Sequence, residues 1–183
     1  MTRYIVLSAL LLITAILALI FITGAYPFVF MRASKDLQGA THVIWARTAH
    51  RIADAALTYY QTTLGTATTT IAITPALKQE AREKALDALI DQALITDAVR
   101  LMDSDAEAKA LLNKKFAAYE ERSEFVAALS LSYGLDTYEF AEFIAYPEIE
   151  KEMLKQKKGW NDTELRAWLA EEKSKARIVR FAK

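Results

Sequence analysis

Apolar residues recur at every third or fourth position along most of the chain after residue 40. The clearest case is "ALDALIDQALITDAVR", residues 85–100, which contains no glycine or proline. Such spacing places apolar side chains on one face of an α-helix, whereas a half-buried strand would alternate apolar and polar residues. The pattern predicts an amphipathic helix that packs one stripe against a core, and the stripe consists of Leu86, Leu89, Ile90, Ala93 and Leu94.

Capping signals place the boundaries of the first helices. Residues 40–64 predict a first helix that Gly65 ends, because glycine readily adopts the left-handed conformation of a helix C-cap. Thr74 and Pro75 are a natural N-cap and first residue for the next helix. Between the two helices, residues 68–74 ("TTTIAIT") are rich in β-branched side chains. They predict either a short strand or, since no partner strand is obvious, an extended linker.

Three capping pairs divide the second half of the chain: Ser104 with Glu107, Asp136 with Glu139, and Asn161 with Glu164. Each pair has the residue types and spacing that satisfy free N–H groups at a helix start. The pattern predicts a long helix over residues 104–132 that Gly134 stops, and a last helix over residues 162–181. Pro147 predicts two short helices or a kink, because proline lacks an N–H and clashes with the preceding turn.

The N-terminus carries a continuous apolar run instead. No charged side chain occurs between Arg3 and Arg32. Residues 4–23, at about 1.5 Å each, span the hydrocarbon core of a bilayer, roughly 30 Å. A cleaved secretory signal is the alternative, although its apolar core is usually only about 7–15 residues long. We predict a transmembrane signal anchor and juxtamembrane segment over residues 1–31, followed over residues 32–183 by an all-α bundle of about five or six helices.

Composition restricts the partners and the compartment. The formal net charge is +0, which argues against nucleic acid as the main partner. The chain has no cysteine and therefore forms no disulfide, which is compatible with an oxidising compartment. Basic residues flank the apolar run on both sides, so the positive-inside rule does not choose an orientation. Because an N-terminal anchor usually exports the chain on its C-terminal side, we expect the soluble part on the extracytoplasmic side of the membrane.

Candidate catalytic residues are few. His42 and His50 are the only histidines, and on one helix they would stand about 12 Å apart, too far to share a metal ion. The chain has no glycine-rich phosphate loop and no Glu-x-x-His motif. The sequence therefore predicts no catalytic residue, no metal site, no cofactor and no enzymatic activity. A solvated acidic face is the interpretation given to Glu139, Glu142, Glu148, Glu150 and Glu152.

Two motifs carry a resemblance to a known family. "KALDALIDQALITDAVR" contains a Leu-Ile-x-x-x-Leu helix, and "FVAALSLSYGLDTYEFAEFIAYPEIEKEML" continues from an aromatic residue and a leucine through a Gly-Leu turn to Glu-Phe. Residues 76–157 thereby resemble the N-terminal helical domain of the SurA family of periplasmic chaperones, to which PrsA- and PpiD-type foldases are similar. The matching positions are Leu89, Ile90, Leu94, Phe125, Leu129, Gly134, Leu135, Thr137, Glu139 and Phe140.

The chain departs from that family in two respects. Family members usually have a short strand with Val-Asn-Gly near the start of the domain, a motif that this chain lacks. Many members also continue into a parvulin prolyl isomerase domain, whereas only one predicted helix comes after Gly159 here. The resemblance implies a SurA-like module over residues 32–183 without the isomerase. The helix over residues 162–181 then takes the place of the family's C-terminal helix, which packs back onto the N-terminal domain.

Aromatic residues around Gly134 are the candidates for a binding surface. A small helical domain also needs large apolar anchors, so a position in the core is the alternative for most of them. Together with the resemblance, these aromatic residues imply an ATP-independent, chaperone-like module anchored in a bacterial inner or cell membrane. The implied module holds unfolded or newly exported polypeptides. The alternative is an adaptor subunit of an envelope complex that binds one folded partner. The candidate binding residues are Tyr133, Tyr138, Phe140, Phe143, Tyr146 and Trp160.

Overall fold

The computed structural model describes residues 28–64, 72–102, 105–116 and 122–181. The chain is mostly helical and carries a small three-stranded sheet. Two strands come first, β1 (Phe28–Arg32) and β2 (Thr41–Trp45). Four helices come next: α1 (Ala46–Leu64), α2 (Pro75–Leu101), α3 (Asp105–Phe116) and α4 (Ser123–Tyr133). The short helix α5 (Thr137–Phe140) continues through a π-helical turn (Ala141–Ala145) into α6 (Tyr146–Lys158). Helix α7 (Asp162–Lys175) and the strand β3 (Arg177–Phe181) come last.

The predicted membrane anchor, residues 4–23, lies outside the described residues and stays a prediction, as does most of the segment over residues 68–74. Within the described ranges, none of the helices combines the length and the apolar character needed to cross a bilayer.

The sheet joins the two ends of the described chain. β1 is the central strand and pairs antiparallel with both β2 and β3. The connection from β1 to β2 turns through Gln38 and Gly39, which both have positive φ angles, 57° and 63°. A hydrogen bond of 2.8 Å from the Ala33 N–H to the Ala40 carbonyl closes this turn. The first and last segments of the described chain are therefore held together.

The all-α prediction is thus right for most of the chain and wrong for these three strands. Residues 41–45 were predicted as the start of a helix, but the helix begins only at Ala46. The last helix was predicted to reach residue 181, but it ends at Lys175 and β3 comes after it. Each strand has five residues and apolar side chains on both faces, so none of the three shows the alternating pattern that identifies a strand in a sequence.

Helix α2 crosses the core, as its stripe predicts. Ile90, Leu94 and Val99 are 1%, 0% and 0% exposed. They pack with the inner face of the sheet and with the facing sides of α6 and α7. The Thr74 hydroxyl accepts a hydrogen bond of 3.2 Å from the Leu77 N–H, which confirms the predicted N-cap. The inner face of the sheet and the two later helices contribute Val29, Met31, Ile44, Leu154 and Leu165.

The long helix predicted over residues 104–132 is not continuous. Helix α3 ends at Phe116, and Arg122 has an extended backbone (φ −89°, ψ 107°) before α4 begins. The apolar stripe explains the interruption. In the sequence the apolar stripe of this predicted helix runs through Leu112, Phe116 and Tyr119, but one turn later it meets Arg122 and Ser123.

Pro147 does not split its segment into separate helices. Ala141 and Ala145 both keep a right-handed helical backbone, and a π-helical turn precedes the proline. In a π-helical turn the backbone hydrogen bonds join residues five apart instead of four apart. The hydrogen-bond pattern therefore changes immediately before Pro147, which has no N–H to donate. The capping boxes at Asp136 and Asn161 are both present, which confirms two of the predicted helix starts.

Candidate functional site

The six aromatic residues singled out from the sequence do not form one surface. Tyr133 and Phe140 do come together, with ring centroids 5.4 Å apart. Tyr133 also stacks on Tyr59 of α1 at 4.7 Å with nearly parallel rings, and Phe140 meets Phe125 edge-to-face at 6.3 Å. This cluster packs the turn between α4 and α5 against α1.

The remaining four aromatic residues lie in different places. Tyr138 is 72% exposed. Tyr146 packs against a small cluster formed by α3 and α6. Trp160 pairs with Trp168 at 5.6 Å and packs against the main core. Phe143, in the π-helical turn, lines both of the clefts described below, whereas the other five line neither of these two.

One cleft lies between α2, the π-helical turn, α6 and α7, and we call it the central cleft. Its volume is about 560 Å³. Buried or half-buried apolar side chains form much of its surface: Leu89, Ile95, Phe143, Ile144, Leu165 and Leu169. Charged side chains of both signs surround it: Glu142, Glu148, Asp162 and Arg166. An apolar surface with a charged rim is typical of sites that bind a partly apolar ligand or chain.

A buried carboxylate fixes α6 against α2 beside this cleft. Glu150 is 0% exposed. One of its oxygens, Oε2, accepts a hydrogen bond of 2.6 Å from the Thr96 hydroxyl and another from the Gln92 side-chain amide. Gln92 also lines the central cleft. The interpretation of Glu150 as part of a solvated acidic face is therefore wrong.

The sequence did contain a signal for that burial. Glu150 lies one turn after Tyr146 and one turn before Leu154, in the phase of the apolar stripe of α6. A charged residue at a stripe position predicts a buried polar contact with a neighbouring helix.

A second cleft of about 760 Å³ lies beside α1, the π-helical turn and the end of β2. Arg51 crosses it and binds Glu139 through two hydrogen bonds, Nε to Oε1 at 2.7 Å and Nη2 to Oε2 at 2.5 Å. The same Nη2 donates to the Gly134 carbonyl at 2.7 Å. Glu139 also closes the capping box with Asp136. This pair therefore ties α1 to the turn between α4 and α5.

The two histidines lie on different elements, so their predicted placement on one helix is wrong. His42 is on β2, and its Nε2 is 2.8 Å from Oδ2 of Asp97, a carboxylate that is 4% exposed. His50 is on α1 and lines the second cleft. Burial, together with the positive charge of Arg82, lowers the pKa of His50. Among the described residues, no three His, Cys, Asp or Glu side chains are grouped so that they could hold a metal ion.

Replacing Glu139 with Gln is expected to lower the free energy of unfolding by about 1 kcal/mol at neutral pH, because the pair is partly exposed and solvent screens it. The hydrogen bonds from Arg51 lower the pKa of Glu139 below its usual value of 4.5. This stabilisation is therefore present above pH 4.5 and disappears as the pH falls through the folded-state pKa. Urea unfolding of the wild type and Glu139→Gln at neutral pH and near pH 3 measures it. A difference that persists unchanged at low pH would contradict the charged pair.

Comparison of the chain with protein-family models, with curated protein sequences and with solved structures found no match.

Proposed function

We propose that the protein is a membrane-anchored, ATP-independent chaperone-like module that holds unfolded or newly exported polypeptides. The soluble part acts by non-covalent contacts on the extracytoplasmic side of a bacterial inner membrane. The observation that carries the proposal is the central cleft, whose apolar surface is open and surrounded by charged side chains. Such a surface suits an extended polypeptide, because apolar side chains enter the cleft while the flanking charges stay hydrated.

Two features of the fold support the proposal of a SurA-like module. The short strands β1 and β2 precede the helices, and the family has a short strand near the start of its helical domain. The family's C-terminal helix packs back onto the N-terminal domain. Helix α7 does the same, since the Ser34 hydroxyl, in the loop after β1, donates a hydrogen bond of 2.5 Å to Glu172, which is 3% exposed.

An adaptor that binds one folded partner is the second candidate. Exposed apolar side chains on α4 and α5 favour it: Val126, Leu131 and Tyr138 are 38%, 75% and 72% exposed. Apolar side chains presented on the outside of helices, away from any cleft, fit a flat and specific interface better than an extended chain.

Aggregation of denatured proteins distinguishes the two functions. The full chain, held in lipid nanodiscs, is added without nucleotide to several unrelated proteins diluted from urea, one of them an outer-membrane protein. Light scattering monitors their aggregation, and empty nanodiscs are the control. We expect suppression with every client, in proportion to the amount of protein. No suppression by a folded protein would contradict the chaperone proposal and leave the adaptor as the better candidate.

A further inference from the structure

The sheet has an outer face that turns away from the helices. Alternation along each strand sends Val29, Met31 and Ile44 inward, where they are 3%, 0% and 8% exposed. The intervening residues lie on the outer face. Of these, Val43 and Trp45 are 47% and 45% exposed, and Phe30 and Val179 are half-buried. The outer face is therefore apolar and accessible.

The charges on this outer face are all positive. Arg32 and Arg177 are paired in register at one end of the sheet, and neither is buried. Neither forms a salt bridge with any residue that the structure describes. Arg180, on the inner face, contrasts with them because it is bound to Asp87 at 2.6 Å. No aspartate or glutamate occurs at the outer positions of the three strands.

The outer face lies close in sequence to the predicted membrane span, which favours the membrane as its partner. The predicted membrane span ends at residue 23 and β1 begins at Phe28, so only residues 24–27 connect them. Four residues reach at most about 14 Å when fully extended. The register places Trp45 opposite residue 28, so this exposed aromatic side chain lies at the end of the sheet nearest the predicted span.

We propose that the outer face of the sheet docks on the lipid headgroup region of the membrane that anchors the chain. Trp45 and its apolar neighbours lie at the boundary between headgroups and acyl chains, where aromatic side chains are enriched. Arg32 and Arg177 contact the phosphates of anionic lipids. The short connection holds the sheet at the surface, so the central cleft keeps a fixed distance from the bilayer. This inference rests on the membrane anchor of the proposed function and is independent of the chaperone activity.

A protein partner on the same face is less well supported. Two arginines with no acidic residue at the outer positions of the strands match a surface of uniform negative charge, whereas protein interfaces mix both signs and pair them. The tether also supplies the bilayer at high local concentration without any further contact.

Nitroxide accessibility tests the docking, and the absence of native cysteine makes single labels simple to introduce. Val43→Cys carries the label on the outer face, and Leu131→Cys, on a residue of α4 that is 75% exposed, is the matched control. The full chain is reconstituted into vesicles containing phosphatidylglycerol. Continuous-wave EPR then compares collision with oxygen, which partitions into lipid, and with a water-soluble nickel complex. We expect a several-fold higher ratio of oxygen to nickel accessibility at position 43 than at position 131.

Two further measurements distinguish a failure of the docking alone from a failure of the membrane anchor. Replacing both Arg32 and Arg177 with Gln, or omitting the anionic lipid, is expected to reduce that ratio at position 43 and leave position 131 unchanged. Equal ratios at the two positions, in a protein that floats with the vesicles, would overturn the docking and leave the anchor intact. A protein that fails to float with the vesicles would overturn the anchor and the docking together, whereas the aggregation assay tests the chaperone activity separately.

Discussion

A chain that begins at Ala33 is expected to lose cooperative unfolding, whereas a chain that begins at Gly24 keeps it. The shorter chain lacks β1, which is the central strand, so β2 and β3 lose their only neighbour in the sheet. It also lacks Met31 and Val29, which are 0% and 3% exposed. Burial of two such side chains contributes roughly 3–6 kcal/mol, a large part of the approximately 5–15 kcal/mol that stabilises a domain.

The two truncated chains form a matched pair, because neither contains the predicted span and they differ only in residues 24–32. Thermal unfolding monitored by circular dichroism compares them. We expect a single sharp transition for the longer chain and a broad or absent transition for the shorter one. Equally sharp transitions at the same temperature would show that β1 is not a part of the core.

Replacement of Ile90 with Ala is expected to lower the free energy of unfolding by about 2–5 kcal/mol, because it leaves a cavity in the main core. Ile90 is 1% exposed and packs where α2 meets the sheet. Its neighbour Leu89 is less deeply buried and lines the central cleft. The Leu89→Ala variant is therefore expected to lose less stability, since its surroundings are already partly open to water.

Urea unfolding of the two variants measures this difference, provided that both keep the same dependence on denaturant. The comparison also separates stability from binding, because of these two residues only Leu89 borders the central cleft. An Ile90→Ala variant with the wild-type midpoint, or a larger loss for Leu89→Ala, would contradict the orientation of α2.

The parts of the fold that the sequence predicts are those determined by neighbouring residues. The apolar stripe of α2, its N-cap at Thr74 and the capping boxes at Asp136 and Asn161 all depend on residues within a few positions of each other. They are also the elements that the structure confirms. Helix periodicity and capping are local signals, so one sequence is sufficient to read them.

The sheet depends on contacts between distant parts of the chain. β1 pairs with β3 from the opposite end of the described chain, and no local pattern shows that partner. β1 also lies at the end of an uncharged run, which favoured its assignment to the juxtamembrane segment. Arg180 is exposed, as an arginine in a sequence suggests, but its partner Asp87 lies on α2, far away along the chain. Strand pairing and side-chain partners of this kind require the three-dimensional structure.

The candidate site was only partly predictable for a related reason. Phe143 was singled out because aromatic residues cluster around Gly134, and it does line the central cleft. The apolar residues of α7 that complete the cleft, Leu165 and Leu169, were not singled out, because in the sequence they are simply the stripe of the last helix. The cleft arises where the π-helical turn meets α2 and α7, and sequence periodicity does not reveal that junction.

The most direct test of the account is to change the central cleft and measure whether denatured clients still aggregate. Phe143→Ser alters the cleft, and Leu131→Ser makes a comparable change at an exposed position of α4 outside it. Circular dichroism first establishes that both full-length variants are folded in nanodiscs. If polypeptides bind in the central cleft, Phe143→Ser loses most of the suppression of light scattering and Leu131→Ser keeps it. Full suppression by Phe143→Ser, or an equal loss in both variants, would contradict the central cleft as the binding site.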